Sequence, residues 1–186
     1  MKLISAICCA TAAIGTSFCL HATASATDLH CASERGADVT IVDGRTACRA
    51  ASDENGQSRA AGLDGVGYAN ATLGAIAFGI GAAGGVGASE GAGGIPIAIG
   101  LGPDAIALTS VADGAGGTPA TFGVSVAMDG SRAEVSSVEN TVVCLGSAAF
   151  AWNAATGASC LATPFGVLRQ IQPIPDSRRT AARVSS

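Results

Sequence analysis

The sequence has few aromatic residues, few charges and almost no histidine. Aromatic side chains make up 4% of the 186 residues and charged ones 13%, and the 2 histidines are His21 and His30. Chains that stay unfolded combine low hydropathy with high net charge, whereas the mean hydropathy here is +0.44. The scarcity of charge therefore argues for a folded body, although the chain carries 26 glycines.

Lysine is absent after Lys2, so every later cation is an arginine. The formal net charge is -4, yet the end of the chain is basic, with one acid, Asp176, against Arg169, Arg178, Arg179 and Arg183. We expect residues 169–186 to form a basic, disordered tail behind an acidic body. Because an acidic body repels polyanions, the sequence predicts no nucleic-acid partner.

The first 26 residues are organised like an export signal. Lys2 provides a short positive region, residues 4–20 are apolar, and Ala24 and Ala26 place small residues before a cleavage site. We therefore predict a signal peptide over residues 1–26, cleavage between Ala26 and Thr27, and a mature protein that is secreted or held at the cell envelope. An uncleaved anchor is the alternative, but the apolar run is short for a spanning helix of roughly 20 residues.

Removal of residues 1–26 leaves four of the 7 cysteines. An even number in an exported chain indicates disulfides, and four cysteines allow three connectivities. We favour the pairs Cys31–Cys48 and Cys144–Cys160, because each brackets a segment that can fold back locally. A metal site is the rival interpretation, but these spacings are wider than those of zinc-ligand pairs and His30 is the only histidine left to contribute.

The centre of the chain, residues 62–128, alternates small and large side chains between glycine-rich turns. A period of two is typical of β-strands, and glycine is too frequent there for helices. We predict a mainly β fold, a Gly/Ala-rich β-solenoid or β-roll with small side chains inside and disulfide-clamped ends, as one domain over residues 27–168. A small β-sandwich or barrel is the alternative. Strands are expected at residues 75–80, 95–101, 105–108, 121–128 and 133–136.

Two glycine-rich motifs resemble functional signatures in outline. Residues 79–84 match the GxGxxG of dinucleotide-binding proteins, but the residues that follow are unsuited to the helix this motif requires. Residues 87–91 match the GxSxG nucleophile elbow around Ser89, but His30 precedes the serine and no helix is expected after it. We therefore predict no catalytic residues, no cofactor and no metal, and retain a serine hydrolase at Ser89 as an alternative.

Residues 68–89 contain no charged side chain. A membrane helix packed through small residues is conceivable there, but glycine is too frequent and the β alternation too clear. We therefore expect no membrane insertion, and keep as an alternative a membrane-active protein that uses the segment 68–102.

Several segments together resemble a family of small exported actinobacterial proteins of unknown function, seen in mycobacteria, nocardiae and rhodococci. These segments are residues 61–72, 77–85, 151–153 and 156–164. The resemblance implies a place at or beyond the cell envelope and supplies no catalytic residues. With it, the sequence favours an exported, non-enzymatic structural or interaction protein, whose partner is an envelope polymer or another protein.

Overall fold

The computed structural model of the protein describes residues 27–112 and 122–170, which form 15 β-strands. The predicted signal peptide, including Ala26, and the chain after Gln170 lie outside the described residues, which begin at Thr27. The strands are β1 (Asp28–Glu34), β2 (Asp38–Asp43), β3 (Thr46–Ser52), β4 (Gln57–Leu63), β5 (Val66–Thr72), β6 (Ile76–Ala82), β7 (Val86–Ala92), β8 (Ile95–Leu101), β9 (Ile106–Ala112), β10 (Phe122–Met128), β11 (Arg132–Ser136), β12 (Thr141–Leu145), β13 (Ala149–Asn153), β14 (Ser159–Thr163) and β15 (Gly166–Gln170).

Successive strands alternate between two sheets, which we call sheet A and sheet B. Sheet A has the order β1-β4-β6-β8-β10-β13-β14-β15, and sheet B has the order β12-β11-β9-β7-β5-β3-β2. From β3 to β11 each strand pairs in parallel with the strand one turn further along; Val66 lies opposite Val86, for example, and Val86 opposite Ile106. The parallel pairs β4/β6, β6/β8 and β8/β10 make about three turns of a flattened β-solenoid, which confirms the predicted fold class.

Antiparallel strands close both ends of the solenoid. At the start, β1 pairs with β4 and β2 pairs with β3. At the end, β12 pairs with β11, and β13 pairs with β10 and continues into the meander β13-β14-β15. The reversal of strand direction stops the regular stacking, so the coil is terminated by elements that differ from its repeats.

Two disulfides join the sheets at these ends. Cys31 of β1 bonds to Cys48 of β3 with a Cα–Cα distance of 5.7 Å, and Cys144 of β12 bonds to Cys160 of β14 at 5.9 Å. These are the pairs favoured from the sequence. Their role differs from the local folding back expected there, because each bond runs from one sheet to the other.

The space between the sheets is filled by very small side chains. The core consists mainly of alanines with the four half-cystines, and the largest fully buried side chains in the described residues include Val111, Val135 and Asn153. Polar contacts lie there too, since the hydroxyls of Thr109 and Ser125 are 2.7 Å apart across the core. In the described ranges, every leucine, isoleucine, phenylalanine, methionine, tyrosine and tryptophan is at least partly exposed.

The expected strands overlap β6, β8, β9, β10 and β11, and the expected range 95–101 has the same bounds as β8. The last strand is a correction, because β15 reaches Gln170 and so includes two residues that we assigned to the tail. β15 pairs with β14 through Cys160 and Arg169 among other residues, so this pairing holds the chain in the sheet past residue 168.

Candidate interaction surface

The outer surface of sheet A is a continuous layer of large apolar side chains. Since neighbouring residues of a strand point to opposite sides, the small residues that face the core force the large ones outward. The strands β6, β8, β10, β13 and β14 contain no charged residue. We call this surface the apolar face; it comprises Ile76, Phe78, Ile80, Ile95, Ile97, Ile99, Leu101, Phe122, Val124, Val126, Met128, Phe150, Trp152 and Leu161.

Strand pairing arranges these side chains in rows across the sheet. One row runs through the register partners Phe78, Ile97, Val124 and Trp152. The next row runs through Ile80, Ile99, Val126, Phe150 and Leu161. The rings of Phe122 and Trp152 meet edge to face, with centroids 5.7 Å apart and an interplanar angle of 65°. The rows therefore form one connected surface.

This surface is accessible and large. Phe150 is 37% exposed, Trp152 38% and Leu161 41%. Its five strands cover about 500 Å² in projection, at roughly 4.8 Å between strands and 3.3 Å per residue. An apolar patch of this size is often functional on a monomer.

The N-terminal border of the apolar face is polar. His30 of β1 and Arg59 of β4 stand beside Phe78 and Ile80, and together they line a shallow depression of about 190 Å³. Arg59 is the register partner of Phe78, so the row that contains Phe78 continues into a cationic side chain on the neighbouring strand β4. The apolar face thus has a polar rim on this side.

The outer surface of sheet B carries polar and charged groups among its apolar side chains. Arg49 donates hydrogen bonds of 2.8 Å and 3.2 Å to the Asp38 carboxylate, and its guanidinium lies 6.0 Å from the ring centroid of Tyr68. The Tyr68 hydroxyl donates to Glu90 at 3.2 Å. The bond from Arg49 lowers the pKa of Asp38, whereas burial, together with the Glu90 carboxylate, raises the pKa of Tyr68.

Further along sheet B lies a depression of about 260 Å³ with an acidic lining. Glu90, Glu134 and Glu139 contribute to it, and Arg132 donates to Glu134 at 3.0 Å. Within residues 27–112 and 122–170, no three His, Cys, Asp or Glu side chains come together as metal ligands. The two outer faces of the solenoid therefore differ in chemistry: that of sheet A is apolar, and that of sheet B mixes charged groups with apolar side chains such as Ile106 and Leu108.

Ser89 lies in the interior. It belongs to β7, its exposure is 0%, and its hydroxyl has no hydrogen-bond partner in the described part of the chain. Strand β8 follows β7 where a nucleophile elbow requires a helix. The elbow suggested by the sequence motif is thus wrong in its geometry, because a serine enclosed between two sheets cannot meet a substrate.

The other glycine motif is also part of the solenoid. Gly79 and Gly81 lie in β6, the chain turns at residues 83–84, and β7 follows, so no helix is presented to a phosphate. The segment 68–102 runs from β5 through β8 and ends at Gly102, in the turn that follows β8. In the described ranges, no helix has the length and apolar character needed to span a bilayer.

Fold and surface together define a disulfide-clamped β-solenoid with one apolar outer face. The chain belongs to DUF6764, a family of unknown function whose model matches residues 1–163. This confirms the resemblance to a family of unknown function, while the actinobacterial range and the export signal remain predictions. No curated protein and no solved structure shows significant similarity to the chain. The two disulfides are consistent with an extracytoplasmic protein.

Proposed function

We propose that the protein is an exported, non-enzymatic structural or interaction protein of the cell envelope that acts by binding through its apolar face. The observation that carries the proposal is the uncharged outer surface of β6, β8, β10, β13 and β14. Covering about 500 Å² of such surface contributes roughly 12 kcal/mol at 25 cal/mol per Å², before the costs of association.

The disulfides support the extracytoplasmic part of this proposal. Both lie in the ends of the fold, where each joins one sheet to the other. Such bonds persist in oxidising compartments and are reduced in most cytoplasms. A solenoid core made mainly of alanine gains little hydrophobic stabilisation, and the two disulfides are therefore important for stability outside the cell.

Cell fractionation tests both parts of the proposal. The full-length chain is expressed in an actinobacterial host, and its thiol state is measured in cytoplasm, envelope and medium. We expect an oxidised protein in the envelope fraction. Reduced protein confined to the cytoplasm would contradict export.

A matched pair of lysine variants tests the apolar face. Ile97→Lys places a charge on the apolar face, and Leu108→Lys makes the same kind of change on the outer surface of sheet B; both positions are partly exposed. We expect Ile97→Lys to move the protein from the envelope to the medium and Leu108→Lys to leave it in place. Equal retention of the two variants would show that the apolar face does not hold the protein at the envelope.

A further inference from the structure

The large hydrophobic side chains of this protein lie on its surface. Folding of one chain buries alanine, glycine and half-cystine between the sheets. It leaves Phe78, Ile97, Phe150, Trp152 and their neighbours on one side of sheet A, with no described element of the chain packed over them. Folding of the monomer therefore leaves the most hydrophobic surface of the molecule in contact with water.

We infer that this surface is covered by the same surface of a second copy, so that two solenoids associate face to face through their apolar faces. The inference rests on the proposed function, in which the apolar face is the binding surface, and it names a second copy as the partner. The dimer is then the form held at the envelope, so that a lysine which breaks the dimer also releases the protein. Two twisted sheets pack at a separation of about 10 Å with interdigitating side chains, and a two-fold axis gives both copies the same contacts.

The available area suits a dimer. With the flanking strands β4 and β15 included, the outer surface of sheet A covers about 700 Å² in projection at the same strand and residue spacings. Protruding side chains make the accessible area larger than the projection. A stable interface of standard size buries about 800 Å² on each partner, which this surface can supply.

The charge distribution also favours a second copy. The five strands of the apolar face bring no charge into the contact, and the flanking strand β4 adds Arg59 at its edge. Asp38, Glu90 and Glu134 lie on sheet B, on the far side of each solenoid, so two acidic chains can meet without opposing their carboxylates.

Strand order identifies the centre of the contact. β10 is the middle strand of the five, flanked by β8 and β13. Residues near the centre of an interface generally contribute most of its binding energy. Val126 on β10 and Ile97 on β8 are therefore the positions at which one charge should be most damaging.

Analytical ultracentrifugation of the oxidised protein, purified after export, tests the inference. We expect the wild type and Leu108→Lys to sediment at twice the monomer mass. Ile97→Lys and Val126→Lys should each weaken dimerisation by about a hundredfold, because a buried unpaired ammonium is costly. Far-UV circular dichroism and thermal melting at low concentration, where all four proteins are monomeric, identify a variant that fails to fold. If one of the two apolar-face lysine variants fails to fold, the other one provides the test of dimerisation.

Trp152 provides a measurement that needs no variant. It is the only tryptophan, it is 38% exposed in one copy, and it lies in the apolar face. Dimerisation should protect it from iodide quenching as protein concentration rises, with half-protection at the concentration where the sedimenting mass changes.

Other outcomes overturn the inference in distinguishable ways. A monomeric wild type that binds phosphatidylglycerol vesicles, with binding lost in Ile97→Lys, would assign the apolar face to lipid and leave the proposed function standing. A monomer whose Trp152 is protected at every concentration would show that the chain covers its own face. A dimer that survives both lysine variants would place the contact elsewhere.

Discussion

At the scale of single residues, Gly87 shows how closely the two sheets approach. A Cβ atom at Gly87 would meet the carbonyl group of Ile80 and the carbonyl oxygen of Ala98, both in sheet A. Gly79 faces the carbonyl oxygen of Tyr68 in the same way. These glycines are required because backbone atoms occupy the place of a side chain, so even one methyl group must push the sheets apart.

Gly87→Ala should therefore destabilise the protein. Overpacking against rigid backbone costs about 1–3 kcal/mol, and we expect the upper part of that range because backbone cannot rotate away. Chemical denaturation followed by circular dichroism measures the loss of unfolding free energy.

The adjacent residue provides the control for this variant. Ala88 points outward from the same strand, so Ala88→Val should change the unfolding free energy by no more than about 0.5 kcal/mol. Equal losses in both variants would mean that the cost comes from the strand and not from the space between the sheets.

At the scale of elements, the turns of one coil are bonded to those of the next. Asp53, in the turn between β3 and β4, accepts hydrogen bonds from the backbone amides of Gly56 at 2.6 Å and Asn55 at 3.0 Å. It also accepts one at 2.6 Å from Leu73, in the turn between β5 and β6. These bonds, above all that from Leu73, lower the pKa of Asp53. One carboxylate thus organises its own turn and links it to the next.

The stability of the protein should depend on this carboxylate in acid. Because the folded state lowers the pKa of Asp53, the stabilisation is complete above its unfolded value of about 3.8 and is lost as pH falls through the lower folded value. Asp53→Asn should melt at a lower temperature at pH 7 and should lose less stability between about pH 4 and pH 2 than the wild type does.

Thermal melting across that pH range tests the role of Asp53. Glu54→Gln is the control, because Glu54 is the exposed neighbour in the same turn. The control should keep the acid-dependent fall of the wild type. If Asp53→Asn loses as much stability in acid as the wild type does, other carboxylates, such as Asp38 with its bond from Arg49, control the loss of stability in acid.

Individual strands differ in how well the sequence predicts them. β8 was predicted with its full bounds because Ile95, Ile97 and Ile99 alternate with small residues. β7 gave no such signal, since its outward side chains include Ala88 and Glu90, which contrast weakly with the glycines and serine that face the core. β7 is a strand because it pairs in register with both β5 and β9. This pairing is a tertiary interaction, so it does not require an alternation of small and large residues in the sequence of β7.

At the scale of the whole molecule, stability is expected to be lowest at the ends. In a solenoid each coil contacts only its neighbours, so an end coil has one stabilising neighbour and an inner coil has two. The disulfides lie in the end coils, which lack one neighbour, with Cys31–Cys48 at one end and Cys144–Cys160 at the other. They act as covalent substitutes for the missing neighbour.

Replacement of both Cys144 and Cys160 by alanine should loosen one end. A disulfide that closes a loop of 16 residues contributes about 3 kcal/mol in the chain-entropy description. Hydrogen exchange should show lost amide protection in β12 to β15, with protection retained in β6 and β8.

The control for this variant keeps both disulfides. Thr141→Ala with Ser159→Ala changes other side chains of β12 and β14 and should alter exchange little. Uniform loss of protection in the cysteine variant would contradict fraying from the end and would show that the solenoid unfolds as one unit.

The sequence by itself determined the β class and the inward placement of small residues, because a period of two is a local signal. Its even cysteine count predicted two disulfides but left three connectivities, of which the structure shows the one we favoured. Only the tertiary structure decided that the large residues form one surface. Alternate strands enter opposite sheets, so Phe78, Ile97 and Val124, separated along the chain by β7 and β9, become register partners in sheet A. Tyr68 and Glu90, from the intervening strands, lie together on sheet B. The winding of the coil thus gathers the uncharged strands in sheet A and places Tyr68 and Glu90 on sheet B.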